Sequence, residues 1–144
     1  MRRKDFLLVT LLLAAGVSAL VLNISCDADR PMVAEGEEIA WQTSLPEDAG
    51  RPVLVDFTAD WCPPCKVMEQ EAWPDAEVAE AARAYAAVKI DIDFNPDLAA
   101  DFEVASIPTI ILLGADGNTL ARQEGYTYGG QAKLAAFLRK HAGE

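Results

Sequence analysis

The chain has 144 residues, 51% of them hydrophobic, and its 23 acidic against 12 basic residues leave a net charge of −11. That length suits one domain, and the apolar share excludes a generally disordered chain. No Lys/Arg cluster exists beyond the first four residues, so a nucleic-acid surface, which needs grouped cations to displace counterions from phosphate, is excluded as well.

Arg2, Arg3 and Lys4 precede an uncharged, mostly apolar run from Phe6 to Ile24. Basic residues stay on the cytoplasmic side, so the rest of the chain is expected outside the cytoplasm, in the periplasm or on the outer face of the membrane. The run is long for the apolar part of a signal peptide and just long enough to cross a bilayer core of about 30 Å. Three routes stay open: an uncleaved anchor, a cleaved signal, or a lipoprotein. The last rests on Leu22-Asn23-Ile24-Ser25-Cys26, similar to a bacterial lipoprotein processing site with Cys26 as the lipidated residue, although Asn23 departs from its preference for an aliphatic residue. The expected organisation is a signal or anchor over 1–26, a polar linker over 27–36 and one folded domain over 37–144.

Within that domain, Ile39 to Gln42 reads as a short first strand. Ser44 to Gly50 reads as a short helix or turn, with Ser44 as a candidate cap. Val53-Leu54-Val55-Asp56-Phe57 is a continuous apolar run with one acid inside it, the pattern of a central strand covered on both faces. Pro63 and Pro64 then place a helix start at Cys62, because proline is tolerated in a first turn whose N–H groups lack intrahelical partners. That helix runs to about Ala72, and Trp73-Pro74-Asp75 interrupts it before a second segment carrying Val78, Ala82 and Tyr85 on one face. Val88, Ile90 and Ile92 alternate with Lys89 and Asp91 as in a strand. Asn95-Pro96-Asp97 opens a further helix with Asn95 as its cap. Thr109 to Leu113 is an apolar strand that turns at Asp116-Gly117 and returns over Asn118 to Glu124. A last helix shows Leu134, Phe137, Leu138 and His141 on one stripe. A right-handed crossover makes the two early strands parallel, the hairpin adds an antiparallel pair, and the fold class is α/β with helices on both faces of a mixed sheet.

Cys62 and Cys65 carry the chemistry. A C-x-x-C pair is a redox dithiol, half a zinc site or a haem attachment. Haem attachment requires His after the second Cys, where this chain has Lys66, and zinc requires about four ligands where only Cys26 and His141 remain to join the pair. The redox reading is left standing. At a helix start, free N–H groups and the positive end of the dipole favour a thiolate; a thiol of ordinary pKa, about 8.5, is only a few per cent ionised at pH 7. Cys62, nearer the helix start and expected to be more exposed, is the candidate nucleophile. Cys65, one turn in and expected to be more buried, resolves the mixed disulfide. Asp56 lies inside an apolar strand, where burial raises a carboxyl pKa, and a carboxyl titrating near neutrality beneath the pair can take the proton of Cys65. The alternative is a hydrogen-bonded structural Asp. Lys89, on the neighbouring strand, is either a modulator of Asp56 or an ordinary exposed lysine. Pro108 directly before an apolar strand caps that strand or takes a cis bond.

Val55-Asp56-Phe57-Thr58-Ala59-Asp60-Trp61-Cys62-Pro63-Pro64-Cys65-Lys66 resembles the active-site segment of the thioredoxin family. Lys89-Ile90-Asp91-Ile92-Asp93, Asn95-Pro96 and Ser106-Ile107-Pro108-Thr109 resemble its later landmarks in order and spacing. The resemblance covers about residues 37–142. It implies the thioredoxin fold, a cis Ile107–Pro108 bond, and a substrate surface built from Trp61, Pro63, Pro64, Ile107, Pro108 and Gly125, with the backbone at Ile107 pairing with an extended client segment. It also implies a protein thiol–disulfide oxidoreductase with protein thiols and disulfides as partners and no cofactor beyond its own cysteines. Thr58, Pro63-Pro64 and the absence of a proline from Val67 to Ala72 depart from thioredoxin itself. Ala59-Asp60-Trp61-Cys62 with Glu69, Trp73, Asp75 and Val78 is similar to the C-terminal domain of the bacterial membrane protein DsbD, which passes electrons outward. That pattern implies a monomeric reductase or electron relay supplied by a membrane thiol reductase. A thiol oxidase or isomerase, and a non-catalytic binding or chaperone module, are the rival readings.

Overall fold

The computed structural model describes residues 38–143. The apolar run Phe6–Ile24, Cys26 and the 27–36 linker lie outside the described residues.

Four strands, β1 (Val53–Thr58), β2 (Ala86–Asp91), β3 (Thr109–Leu113) and β4 (Thr119–Glu124), form one sheet in the order β2-β1-β3-β4. β1 and β2 run parallel, and β1–β3 and β3–β4 are antiparallel. The helices are α1 (Pro63–Glu71), α2 (Ala76–Ala82), α3 (Pro96–Asp101) and α4 (Gln131–His141).

Alternation along β1 divides the core in two. Leu54 points, with Ala87, Ile110 and Leu112, towards Met68 of α1, Val78 of α2 and Leu134 and Leu138 of α4. Val53, Val55 and Phe57 point the other way, with Ile111 and Leu113, towards Leu98 and Ala99 of α3 and the adjoining Phe102. A strand covered on both sides has no wet face, which is why β3 reads as a near-continuous apolar run and β1 as one interrupted only by Asp56 before its last residue. The register matters for the site: Asp56 lies on the α1 side, directly across the parallel pair from Lys89.

Two local expectations are corrected and a third, open between helix and turn, is narrowed. The strand at Ile39–Gln42 shrinks to one bridge, in which Gln42 N–H donates to Ala87 O and Gln42 O accepts from Lys89 N–H, both at 2.9 Å. Ile39 and Trp41 pack instead against the α1-side core. Ser44–Gly50 takes the turn and not the helix: Asp48 Oδ1 accepts Gly50 N–H at 3.0 Å, and Gly50 sits at φ 60°, a left-handed geometry that glycine adopts without cost. Asn95 occupies the position before α3 but leaves the helix N–H groups uncapped, its amide donating back to Asp91 O at 2.9 Å. The capping expected at that site is met at α2, where Asp75 Oδ1 accepts from Glu77 and Val78 N–H.

Tyr85, 2% exposed, ties the loop after α2 to the last helix: its hydroxyl donates to Leu138 O at 2.7 Å. Tyr85→Phe keeps the ring and removes the donor. The expected cost is about 1 kcal/mol, read as a lower urea midpoint with an unchanged slope.

Candidate active site

β1 ends at Thr58 and the chain turns through Ala59-Asp60-Trp61 into Cys62, whose N–H donates to Ala59 O at 3.1 Å. Cys62 is the N-cap of α1, with Pro63 and Pro64 at the first two helical positions. A helix start leaves N–H groups without partners; proline removes two of them, and the next, Cys65 N–H, donates to Cys62 Sγ at 3.2 Å. Cys62 and Cys65 form a disulfide, S–S 2.01 Å with the Cα atoms 5.3 Å apart. Among the described residues no His, Asp or Glu cluster that could hold a metal ion stands with them.

The expected difference in exposure between the two sulfurs is absent: Cys62 is 2% and Cys65 5% exposed. Ile92 and Ile107 pack over both, together with Ala59. What distinguishes the two is position, since Cys62 accepts the N–H at the helix start while Cys65 lies a turn inside.

The Ile107–Pro108 peptide is cis. Around it, Thr109 Oγ1 donates to Ser106 O and Gly125 N–H donates to Pro108 O, both at 2.7 Å. Gly125 is at φ 71°, and a Cβ there would meet nothing within 4 Å, so its requirement is the backbone conformation rather than space. It adjoins the cis-proline loop through the backbone, outside the cavity formed by Trp61, Ile92, Val104, Ala105, Ser106 and Ile107. Trp61 lines that cavity while 61% exposed; Pro63 is exposed and Pro64 half-buried beside the disulfide.

On β1, the strand that leads into the cysteine pair, Asp56 is 3% exposed. Its Oδ2 accepts from Trp73 Nε1 at 3.2 Å and its Oδ1 has no partner. Burial pushes the Asp56 carboxyl up to about 7; the Lys89 ammonium and the Trp73 hydrogen bond pull it down, and the Glu69 carboxylate pushes it further up. Lys89 is paired with Glu69 and lies 4.8 Å over the ring of Trp41, which meets Trp73 edge-on at 4.9 Å. Lys89 is thus a partly buried neighbour of Asp56, held towards Glu69, and not an ordinary exposed lysine. A cavity of about 290 Å³ brings Cys65, Glu69 and Lys89 to one opening.

Trp73, read from the sequence only as part of the break after the first helix and of the DsbD-like pattern, is in the structure a donor to Asp56. The available signal was chemical, since a buried indole N–H needs an acceptor and the strand acid was an obvious one. Asp93, whose Oδ2 accepts Trp61 Nε1 at 2.8 Å, and Arg122, which donates to Phe102 O and Glu103 O at 2.7 Å each, are long-range contacts with no sequence signature.

Glu69→Gln tests the arrangement behind the disulfide. It removes a charge that raises Asp56 and frees the Lys89 ammonium, and both effects favour carboxylate. Asp56 is therefore expected to titrate lower in the variant, followed by the pH dependence of its carboxyl NMR shift. An unchanged or raised titration would mean that the Glu69–Lys89 pair does not reach Asp56.

A C-x-x-C disulfide at a helix start, a cis-proline loop packed against it and a buried carboxyl on the strand that leads into it define a thiol–disulfide oxidoreductase. The thioredoxin family model matches residues 32–140, and the chain belongs to the thioredoxin family. It is 44% identical over 93 residues to a thioredoxin of Mycobacterium tuberculosis, covering 64% of this chain and 72% of that one. A thioredoxin variant from Halobacterium salinarum superposes with a TM-score of 0.57 at 28% identity, covering 77% of this chain and 96% of that one. A solved DsbH oxidoreductase shares the fold with a TM-score of 0.61 at 22% identity, over 78% and 90% of the two chains. The protein is accordingly a protein thiol–disulfide oxidoreductase acting on protein disulfides, and its redox centre is the Cys62–Cys65 pair, with no added cofactor.

Proposed function

We propose that the chain is a membrane-tethered, extracytoplasmic reductase or electron relay, in which Cys62 attacks and Cys65 resolves. In the reducing direction the Cys62 thiolate attacks one sulfur of a client disulfide, forms the mixed disulfide and expels the other client sulfur as thiolate. Cys65, after losing its proton, attacks Cys62 Sγ, expels the second client sulfur and closes the Cys62–Cys65 disulfide. Two electrons pass to the client, and a membrane thiol reductase returns them.

The observation that carries this reading is Asp56. Resolution needs an acceptor for the Cys65 proton, and a buried carboxyl with one unpartnered oxygen, titrating about 7, is suited to that task. It is coupled electrostatically to Lys89 and Glu69, which share an opening with Cys65, so the proton has a route to solvent. Trp61, Pro63, Pro64, Ile107, Pro108 and Gly125 form the client surface, and an extended segment pairs with the backbone at Ile107. The reducing direction is supported by relatives that are themselves thioredoxins. The relay role is supported by the DsbD-like run Ala59–Cys62 with Glu69, Trp73, Asp75 and Val78.

The location is argued from Arg2, Arg3 and Lys4 ahead of the apolar run Phe6–Ile24, followed by a linker to the folded domain. The described residues contain no helix long and apolar enough to cross a membrane, so the tether in this reading is that N-terminal run or a lipid on Cys26. A membrane-impermeant maleimide, applied to intact cells after mild reduction, should label Cys62. Labelling that appears only after lysis would refute the extracytoplasmic location, and mass spectrometry of the detergent-extracted protein would distinguish a lipidated Cys26 from an uncleaved or a cleaved leader.

A further inference from the structure

The disulfide has two unlike neighbours. The opening that includes Cys65 is lined by charges of both signs, Lys66 and Lys89 with Asp60, Glu69 and Asp91. On the other side lies a groove, also about 290 Å³, lined by Trp61, Ile92, Val104, Ala105, Ser106 and Ile107, apolar but for one serine. Ile92 and Ile107 of this groove also pack against the cluster of Ala59, Cys62 and Cys65, so the groove is separated from the disulfide by those two side chains alone. Phe94, 84% exposed, extends the apolar character beyond Trp61 along the same loop, which Asp93 ties to the Trp61 indole.

The charged residues next in the chain to those that line this groove are all acidic. Exposed Asp93 follows Ile92 in the chain, and exposed Glu103 precedes Val104. From Asp91 to Ala121 there are six acids, Asp91, Asp93, Asp97, Asp101, Glu103 and Asp116, and no Lys, Arg or His. The first base after that stretch, Arg122, is already engaged: it donates to the carbonyls of Phe102 and Glu103 and to Glu124 Oε1. Arg122 therefore braces the segment behind Val104, where Glu103 takes φ 51°, and among the described residues neither the Asp93 nor the Glu103 carboxylate is in an ion pair.

We propose that this groove selects client segments that carry an apolar side chain and one or more lysines or arginines beside the reacting cysteine. The inference rests on the exchange chemistry and client surface described above and specifies their client class. The apolar floor takes the uncharged side chain, and the acidic rim attracts cations and repels anionic segments, so the charges act on encounter rate and on discrimination. The same rim argues against a second copy of this chain as the occupant, since a protein of net charge −11 would bring acid against acid.

The test uses full-length reduced protein in detergent and two synthetic peptides. Each carries one cysteine as a mixed disulfide with 2-mercaptoethanol and one leucine beside it, flanked in one peptide by lysines and in the other by glutamates. Second-order rate constants are divided by those of each peptide with neutral dithiothreitol, which removes intrinsic leaving-group differences. At about 20 mM ionic strength the lysine peptide should react at least about tenfold faster, and the ratio should fall severalfold in about 0.5 M salt, where the screening length is only a few ångströms. Asp93→Asn/Glu103→Gln should cut the low-salt ratio at least about threefold. A ratio within twofold of one, a preference for the glutamate peptide, or a preference that salt and the double substitution leave untouched would each overturn the proposal. Reduction of uncharged 2-hydroxyethyl disulfide reports the exchange chemistry alone: if it proceeds while neither peptide reacts, the groove is not a client site, and if it too fails, the exchange reading itself is wrong.

Discussion

Replacing Cys62 with Ser is expected to lower protein disulfide reduction by at least about a thousandfold, because a serine hydroxyl at neutral pH supplies almost none of the anion that attacks sulfur. The complementary Cys65→Ser substitution has a different signature. Attack by Cys62 still occurs, but nothing resolves the product, so the protein should accumulate covalently joined to its clients as reducible adducts on non-reducing gels. Geometry, rather than exposure, is what the two proposed roles rest on. Both sulfurs are buried, and only Cys62 sits at the N-cap, where Cys65 N–H already points at its Sγ at 3.2 Å and would stabilise a thiolate left there by reduction. If Cys65→Ser traps nothing and Cys62→Ser traps clients, the roles are reversed. If Cys62→Ser leaves activity intact, the chain works as a binding module and not through exchange.

Asp56→Asn is expected to make the protein more stable and slower. The Asp56 carboxyl is raised from 3.8 to about 7 by burial, so the folded state holds a proton that the unfolded state releases. Below pH 3.8 both states are protonated and the native side chain imposes no penalty. Between 3.8 and about 7 the unfolded state binds fewer protons, so stability falls as pH rises, and above about 7 the loss is complete. The displacement corresponds to about 4 kcal/mol as an upper figure. Asparagine keeps an acceptor for Trp73 Nε1 and never ionises, so Asp56→Asn should gain about 2–4 kcal/mol at pH 8 and almost nothing at pH 3, measured by urea unfolding of the oxidised protein. In the proposed mechanism the same substitution removes the proton acceptor for Cys65, so the rate of mixed-disulfide resolution at pH 7 should fall by about a hundredfold. A gain in stability without any loss of rate would leave Asp56 a strained structural residue with no part in proton transfer.

Much of this was legible in the chain itself, because the determining interactions are local. β1 and β3 are mainly apolar runs since helices cover both faces of the sheet, and Pro63-Pro64 fixes a helix start that can lie only where Cys62 becomes its cap. Asp56 stood out as the one charge in a covered strand. What stayed hidden depends on which distant segments meet. The Lys89–Glu69 pair joins β2 to α1, Trp73 reaches back seventeen positions to Asp56, and Arg122 crosses from β4 to the loop after α3. The exposure of the cysteines was misjudged for the same reason: Ile92 and Ile107 arrive from two other parts of the chain to cover them. At Ile39–Gln42, an apolar alternation too short to propagate a ladder left one bridge where a strand was expected.

The account stands most directly on the equilibrium reduction potential of the Cys62–Cys65 couple in the full-length protein, measured against defined dithiothreitol or glutathione buffers. A reversible two-electron transition near −270 mV, about the value of thioredoxins, is the predicted result and fits a reductant or relay that must be supplied with electrons. A potential near −120 mV, about that of a dedicated oxidant, would contradict the proposed direction, and a pair that does not titrate reversibly would contradict thiol–disulfide exchange as the function.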